Sequence, residues 1–200
     1  GVFTVGFVGT LKPWHGLPSL VQAFEMLHRH EPAVRLLVVG DGPERAFLED
    51  DLAARGLTQA AHLTGAVEPD EVPELLASMD VAVAPYTGEG AFYFSPLKVY
   101  EYMAAGLPVV AGKIGQLDGL IVDGVNGLLV EPGSPAALAG GLHVLKNNVV
   151  LRERLGRAAR ETVLRGHTWD AVAGKILTLA GRAPVFDMAG RGSGTGRGAS

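Results

Sequence analysis

Tyr93-Phe94-Ser95-Pro96-Leu97-Lys98-Val99-Tyr100-Glu101-Tyr102-Met103-Ala104-Ala105-Gly106-Leu107-Pro108-Val109-Val110 reads as a helix with both ends marked, running into a buried strand. Ser95 offers a side-chain oxygen to the free amides of a first turn, and Pro96 suits the first helical position. Gly106 suits the left-handed residue after the last turn, and Pro108 stops continuation. Lys98 is the anomaly. It falls in the first turn, where the helix dipole already places positive charge, at a cost of about 0.3–1 kcal/mol. Free amides, dipole and ammonium then converge on one spot, which suits a bound anion such as phosphate. Glu101 follows at a spacing of three on the same face, where a carboxylate can accept from the hydroxyls of an attached ribose. A solvated Lys98–Glu101 ion pair, worth roughly 0.2–0.5 kcal/mol, is the competing reading, and the helix alone favours it.

The rest of the chain bears on that choice. Its 200 residues suit one domain, and 48% apolar with 19% charged residues describes a globular chain with a real core. A net charge of −4 argues against a nucleic-acid partner. The absence of cysteine removes disulfides and thiolate chemistry. No apolar run approaches membrane-spanning length and no signal peptide opens the chain, so a cytoplasmic location is expected. Strand-like sequence begins at once, which suggests a piece of a longer protein.

Phe3 to Val8 reads as a buried strand, closed by Gly9 and a loop to Gly16. A helix opened by Pro18 repeats Leu17, Leu20, Val21, Phe24 and Leu27. Val34 to Val39 is a second strand, and Gly40-Asp41-Gly42-Pro43 turns into a helix whose apolar side is Phe47, Leu48 and Leu52. His62 to Thr64 is a short strand. Asp70 caps a helix carrying Val72, Leu75, Leu76 and Met79, and Val81 to Ala84, Leu107 to Ala111 and Gly127 to Val130 are further strands. Helices follow from Ser134: one marked by Leu138, Leu142 and Leu145, an arginine-rich one over 149–165, and one capped by Thr168 with Trp169, Val172, Ile176 and Leu179. Mixed charge around Arg152, Glu153, Arg154, Arg157 and Glu161 reads as a solvated face. Residues 1–183 form the expected domain, and 184–200 a glycine-rich flexible tail.

Strands alternating with helices predict an α/β fold, a Rossmann-like parallel sheet with helices on both faces and further helices appended at the C-terminus. Ligands bind such sheets outside the carboxyl ends of the strands, at the switch point. Thr10, Lys12 and His15 follow the first strand, Gly40 to Gly42 the second, Gly65 the third, and Tyr86 to Lys98 the next. Four loops meeting in one crevice favour a ligand site at Lys98 and Glu101 over a surface pair. The G-x-G-x-x-G fingerprint is absent after the first strand, which disfavours NAD, and no P-loop sequence occurs. His28 and His30 are two apart on a helix and point different ways, so no metal site is read.

Six segments in order carry a resemblance. They are Val8-Gly9 with a short loop to His15-Gly16; Val38-Val39-Gly40-Asp41-Gly42-Pro43; Leu63-Thr64-Gly65-Ala66-Val67; Ala77-Ser78-Met79-Asp80-Val81; Glu101 to Val110; and Asp123-Gly124-Val125-Asn126-Gly127-Leu128-Leu129-Val130. Together they resemble the C-terminal, donor-binding domain of retaining GT-B glycosyltransferases, the glycosyl transferases group 1, from Gly6 to about Ile176. The resemblance implies half of a GT-B fold that binds a nucleoside-diphosphate sugar without a metal or other cofactor. It implies that Glu101 binds the ribose hydroxyls, that the amides around Ser95, Pro96, Leu97 and Lys98 lie near the diphosphate, and that Gly65 to Val67 lie near the base; the loop from Pro85 to Thr87, also at a strand end, is expected to close the same crevice from the other side. Gly9, Thr10 and Lys12 join this donor-binding set. The acceptor would be met by an N-terminal domain that precedes Gly1, so the chain alone is expected to be inactive.

The chain departs from the family pattern at informative places. Thr10 and His15 stand where arginine and lysine are common, so phosphate charge falls to Lys12, Lys98 or a protonated His15. The other reading of His15 is a hydrogen-bonded loop histidine beside Trp14. The family's first glutamate would fall at Tyr93; Glu89 is the displaced candidate, with an exposed loop glutamate as the alternative. Glu89 and His15 are thus the candidate catalytic residues. The expected function is donor binding for sugar transfer with retention. A GT-B-like nucleotide-sugar epimerase and a non-catalytic nucleotide-binding module are the rival classes.

Overall fold

A computed structural model of the chain describes residues 1–87 and 96–167. In chain order the strands are β1 (Thr4–Val8), β2 (Arg35–Val39), β3 (Ala61–Leu63), β4 (Val81–Ala84), β5 (Val109–Gly112) and β6 (Leu128–Val130). The helices are α1 (Leu17–His30), α2 (Arg45–Ala54), α3 (Val72–Ala77), α4 (Leu97–Ala104), α5 (Leu117–Leu120), α6 (Pro135–Asn147) and α7 (Val149–Gly166). The strands form one parallel sheet in the order β3-β2-β1-β4-β5-β6, the Rossmann-like arrangement expected from the sequence. Its order reverses between β1 and β4.

Fully buried strands such as Val-Ala-Val-Ala in β4 require cover on both faces, and each face has its own core. One packs Phe7, Leu20, Phe24, Leu48 and Leu142 beneath α1, α2 and α6. The other packs Val8, Met79, Val99, Tyr102, Met103 and Ile121 beneath α3, α4, α5 and α7. Each fully buried Leu or Phe stabilises by roughly 1.5–3 kcal/mol. Asn126 is the buried polar exception among the described residues. Its side chain accepts from the Val122 amide and donates to the Leu120 carbonyl and the Thr162 hydroxyl, tying the turn before β6 to α7.

Several local expectations are corrected. α4 begins at Leu97, so Pro96 is its cap residue and not its first helical position; the Pro96 carbonyl accepts from the Val99 amide at 2.8 Å. α2 begins at Arg45 rather than Pro43, and Phe47 is exposed because the buried stripe runs through Leu48 and Leu52. α3 is capped by Glu71 rather than Asp70 and stops at Ala77, leaving Met79 in the loop beneath Gly6. The arginine-rich helix is α7, but Arg152 does not sit on a solvated face. It donates to the Leu145 carbonyl and pairs with Asp80 at 3.5 Å, which ties α7 to the start of β4. Ser95, Glu89, Tyr93, the helix expected from Thr168 and the tail lie outside the described residues.

α4 is held by α7 at close range. A Cβ on Gly156 would stand 2.2 Å from the Gly106 carbonyl oxygen, a backbone atom that cannot swing away. Gly156→Ala is therefore expected to destabilise the chain by about 1–3 kcal/mol, even though alanine gains roughly 1 kcal/mol of helix propensity. Gly140→Ala in α6, where a Cβ meets nothing within 4 Å, is expected to stabilise by roughly 0.5–1 kcal/mol. Urea unfolding of the two variants reads the signs, and a stabilised Gly156→Ala contradicts the close approach.

Candidate functional site

Loop after loop turns toward the carboxyl ends of β1 and β4. The Gly9 amide donates to Val39 at 2.9 Å, the Leu11 amide to Asp41 at 2.9 Å, and the Gly40 amide to Gly65 at 3.0 Å, so the loops after β1, β2 and β3 are laced together. Gly16 closes the first loop in the left-handed region at φ 69°, which favours glycine. A Cβ there would also strike the Pro85 carbonyl oxygen, at 1.7 Å, so the loop after β1 lies directly on the end of β4.

Lys98 reaches into the place where these loops meet. Its stem starts on α4, on one face of the sheet. Its ammonium stands 4.2 Å over the ring of Phe7, which belongs to the core of the opposite face, and 5.7 Å from the ring of Tyr86. A Cβ on Gly9 would come within 2.9 Å of that nitrogen. The nitrogen is buried and has no hydrogen-bond partner among the described residues. Burial holds its pKa far below the ordinary 10.5, at about 7, against the opposing pull of Glu101. No ion pair joins Lys98 to Glu101 among the described residues, so the solvated-pair reading of Lys98 is corrected. Glu101 itself is exposed, one turn on.

His15 stands on the far side of the same cluster. Its Nδ1 lies 2.5 Å from the Thr10 carbonyl oxygen, and its ring lies 5.9 Å from Phe7, 6.1 Å from Trp14 and 5.8 Å from Tyr86. Burial and then the charge of Lys98 push its pKa down to about 4, with the Thr10 contact opposing and Lys12 adding to the fall. Of the two readings of His15, protonated phosphate partner and hydrogen-bonded loop histidine, this environment disfavours the first: the imidazole is neutral at pH 7, donates from Nδ1 and leaves Nε2 as an acceptor. The loop-histidine reading describes its bonding.

The remaining sequence candidates lie on the loops after β1, β3 and β4 and at the start of α4, with varied exposure. Thr10 is exposed at the mouth, and Lys12 is half-buried with its ammonium 5.8 Å from the Trp14 ring. Gly65 and Pro85 are buried at the ends of β3 and β4, Val67 is half-buried, and Pro96 is buried. Leu97 points outward at 64% exposure. Sequence reasoning passed over Tyr102. It is fully buried, its hydroxyl accepts from the Val8 amide at 2.7 Å, and it donates to the Val8 carbonyl at 3.1 Å. The signal was a phenol at i+4 from Lys98 inside an otherwise apolar stripe, since a buried hydroxyl demands partners. A surface hollow of about 450 Å³ lies elsewhere, between α2 and β3, but the Arg45 on its wall is already paired with Glu49, and Asp50 adds a further negative charge.

A buried ammonium with no hydrogen-bond partner among the described residues has the charge and the free donors that an anion would meet. Residues 2–148 match the family model for glycosyl transferases group 1. The chain is 35% identical over 177 residues to phosphatidyl-myo-inositol mannosyltransferase of Mycobacterium leprae, covering 88% of this chain and 46% of that protein. Among solved structures it is similar to the C-terminal domain of a glycosyl transferase group 1 family protein from Francisella tularensis, with TM-score 0.74 and 25% identity over 84% of this chain and 87% of that one. It is also similar to HepE from Anabaena in complex with UDP, with TM-score 0.77 and 26% identity over 90% of this chain and 49% of that one. The chain spans about half the length of the curated relatives it matches.

The state of Lys98 has a stability consequence with a definite sign. Between about pH 7 and 10.5 the unfolded lysine holds a proton that the folded one has released, so its contribution makes stability rise with pH across that window. Lys98→Met should therefore stabilise the chain most below about pH 7, and the gain should fade by about pH 10. Urea unfolding of both chains at the two ends of the window checks this; a gain independent of pH contradicts a buried, titrating Lys98.

Proposed function

The chain belongs to the glycosyl transferases group 1 family, and from that premise we propose that it is the nucleotide-sugar-binding half of a retaining, metal-independent glycosyltransferase. The observation that carries the reading is the buried Lys98 ammonium, unpartnered among the described residues, at the first turn of α4. A bound diphosphate supplies what that cation lacks. The first-turn amides of α4 would share its oxygens, and Lys12 would reach them from the mouth. Glu101 would accept hydrogen bonds from the ribose hydroxyls, and the Gly65 to Val67 and Pro85 segments would flank the base. As the sugar–phosphate bond breaks, negative charge grows on the departing diphosphate. A preorganised ammonium and helix terminus stabilise that charge more than they stabilise the ground state.

His15 fits a different role from charge neutralisation. Its neutral Nε2 is an acceptor, suited to a sugar hydroxyl or to a proton released when the acceptor attacks. The acceptor itself would be met by a second domain, so the purified chain is expected to bind donor and transfer no sugar. The similarity to HepE, solved with UDP, makes UDP the first ligand to try.

Titration calorimetry with UDP, GDP and ADP, each against its nucleoside, tests the reading. Lys98→Ala should weaken the diphosphate by about ten- to hundredfold, the equivalent of losing a charge-assisted hydrogen bond of roughly 1.5–3 kcal/mol, and barely touch the nucleoside. Glu101→Gln should weaken both ligands, because both keep the ribose. Variants that bind like the parent would overturn the site.

A further inference from the structure

We infer that Tyr102 is a positioning residue for the donor diphosphate: its hydroxyl takes the place of β4 against Val8 and so holds open the gap in which the Lys98 ammonium stands. The inference rests on the proposed donor site and adds to it the device that shapes the site.

Strand register supplies the argument. β1 pairs with β2 along its whole length, from Thr4 opposite Arg35 to Val8 opposite Val39. It pairs with β4 only at Val5 opposite Val81 and Gly6 opposite Ala82. Beyond Gly6 the two strands part. The Gly9 amide bonds toward β2, and main-chain groups alternate sides along a strand, so both polar groups of Val8 face β4. Continued register would set Val8 opposite Ala84, giving it the Val83 carbonyl and the amide of residue 85. Residue 85 is proline and has no amide. The single hydroxyl of Tyr102 serves both groups, accepting from the Val8 amide and donating to its carbonyl. One oxygen thus replaces two ladder bonds at the switch point.

The consequence reaches Lys98 because Tyr102 lies one helical turn after it on α4. Pinning the phenol to Val8 holds the middle of α4 against the end of β1, and the first turn, one turn back, follows it. That contact carries the Lys98 side chain through the parting, to within 4.2 Å of the Phe7 ring on the other face. Without the hydroxyl, Val8 would have two buried polar groups lacking partners, and β1 could relieve them only by moving toward β4 or admitting water. Either movement displaces the ammonium relative to the helix amides.

Tyr102→Phe removes the hydroxyl and keeps the ring. In the full chain, at a temperature well below its unfolding transition, Tyr102→Phe is expected to weaken UDP by about tenfold and to leave uridine within about threefold. The double variant with Lys98→Ala should bind UDP no more weakly than Lys98→Ala alone, because the hydroxyl acts through the ammonium. A purely structural tyrosine would lower the unfolding temperature and leave the UDP to uridine ratio unchanged, which would overturn the inference. If Lys98→Ala does not lose UDP selectively, the donor site itself fails and this inference with it. If Lys98→Ala loses UDP and Tyr102→Phe does not, the inference alone fails. Should Tyr102→Phe not fold, hydrogen exchange in the unmodified chain decides. The Val8 amide should be strongly protected both free and with UDP bound, and protection gained only on binding UDP would overturn a gap built in advance.

Discussion

Two hydrogen bonds between the Tyr102 hydroxyl and the main chain of Val8 join α4 to β1 where β1 has stopped pairing with β4. A parallel sheet is most stable when every ladder group is paired by a neighbouring strand. Here β1 and β4 separate before their ends, at the point where the strand order reverses, and Pro85 could not have completed the ladder. The phenol resolves the local problem and anchors α4 to β1. α7 presses on α4 from outside through the Gly156–Gly106 contact, so the helix is fixed at its middle and at its end.

One helical turn before that anchor stands Lys98. An ammonium above one aromatic ring, near another, and without a hydrogen-bond partner among the described residues is an unfavourable ground state. The dipole of α4 makes it worse. Natural chains tolerate such groups where a ligand relieves them, and a diphosphate relieves charge and dipole together. On the proposed reading, the same features that cost stability in the free chain contribute affinity for the donor. His15, neutral and held by Thr10, keeps a second cation from adding to the repulsion.

The fold was legible because its signals are local and repeated. Short runs such as Val81 to Ala84 bounded by turns, and helical stripes such as Leu17, Leu20, Val21, Phe24 and Leu27, needed no tertiary information. Helix ends were read less well: Pro96, Pro43 and Asp70 suited their expected roles, but neighbouring packing moved each boundary by one or two residues. Phe47 and Arg152 were misjudged because a one-dimensional stripe does not say which flank meets a neighbour. At the candidate site, Lys98 stood out as a cation in a first turn. The sequence could not say that it would be buried, or that His15 would be neutral, because both depend on aromatic rings brought together from β1, the loop after β1 and the loop after β4. Tyr102 was hidden by its company. Its hydroxyl matters only because β1 and β4 part, and no periodicity reports where two strands stop pairing.

The family relationship and the geometry meet in one claim, that a diphosphate sits where β1 and β4 part. A crystal structure of the chain with UDP tests it most directly. Phosphate oxygens should lie at hydrogen-bond distance, about 2.7–3.2 Å, from the Lys98 ammonium and the first-turn amides of α4. UDP bound beside α2, on the outer face of α7, or in the crevice with its phosphates turned away from Lys98 would contradict the claim.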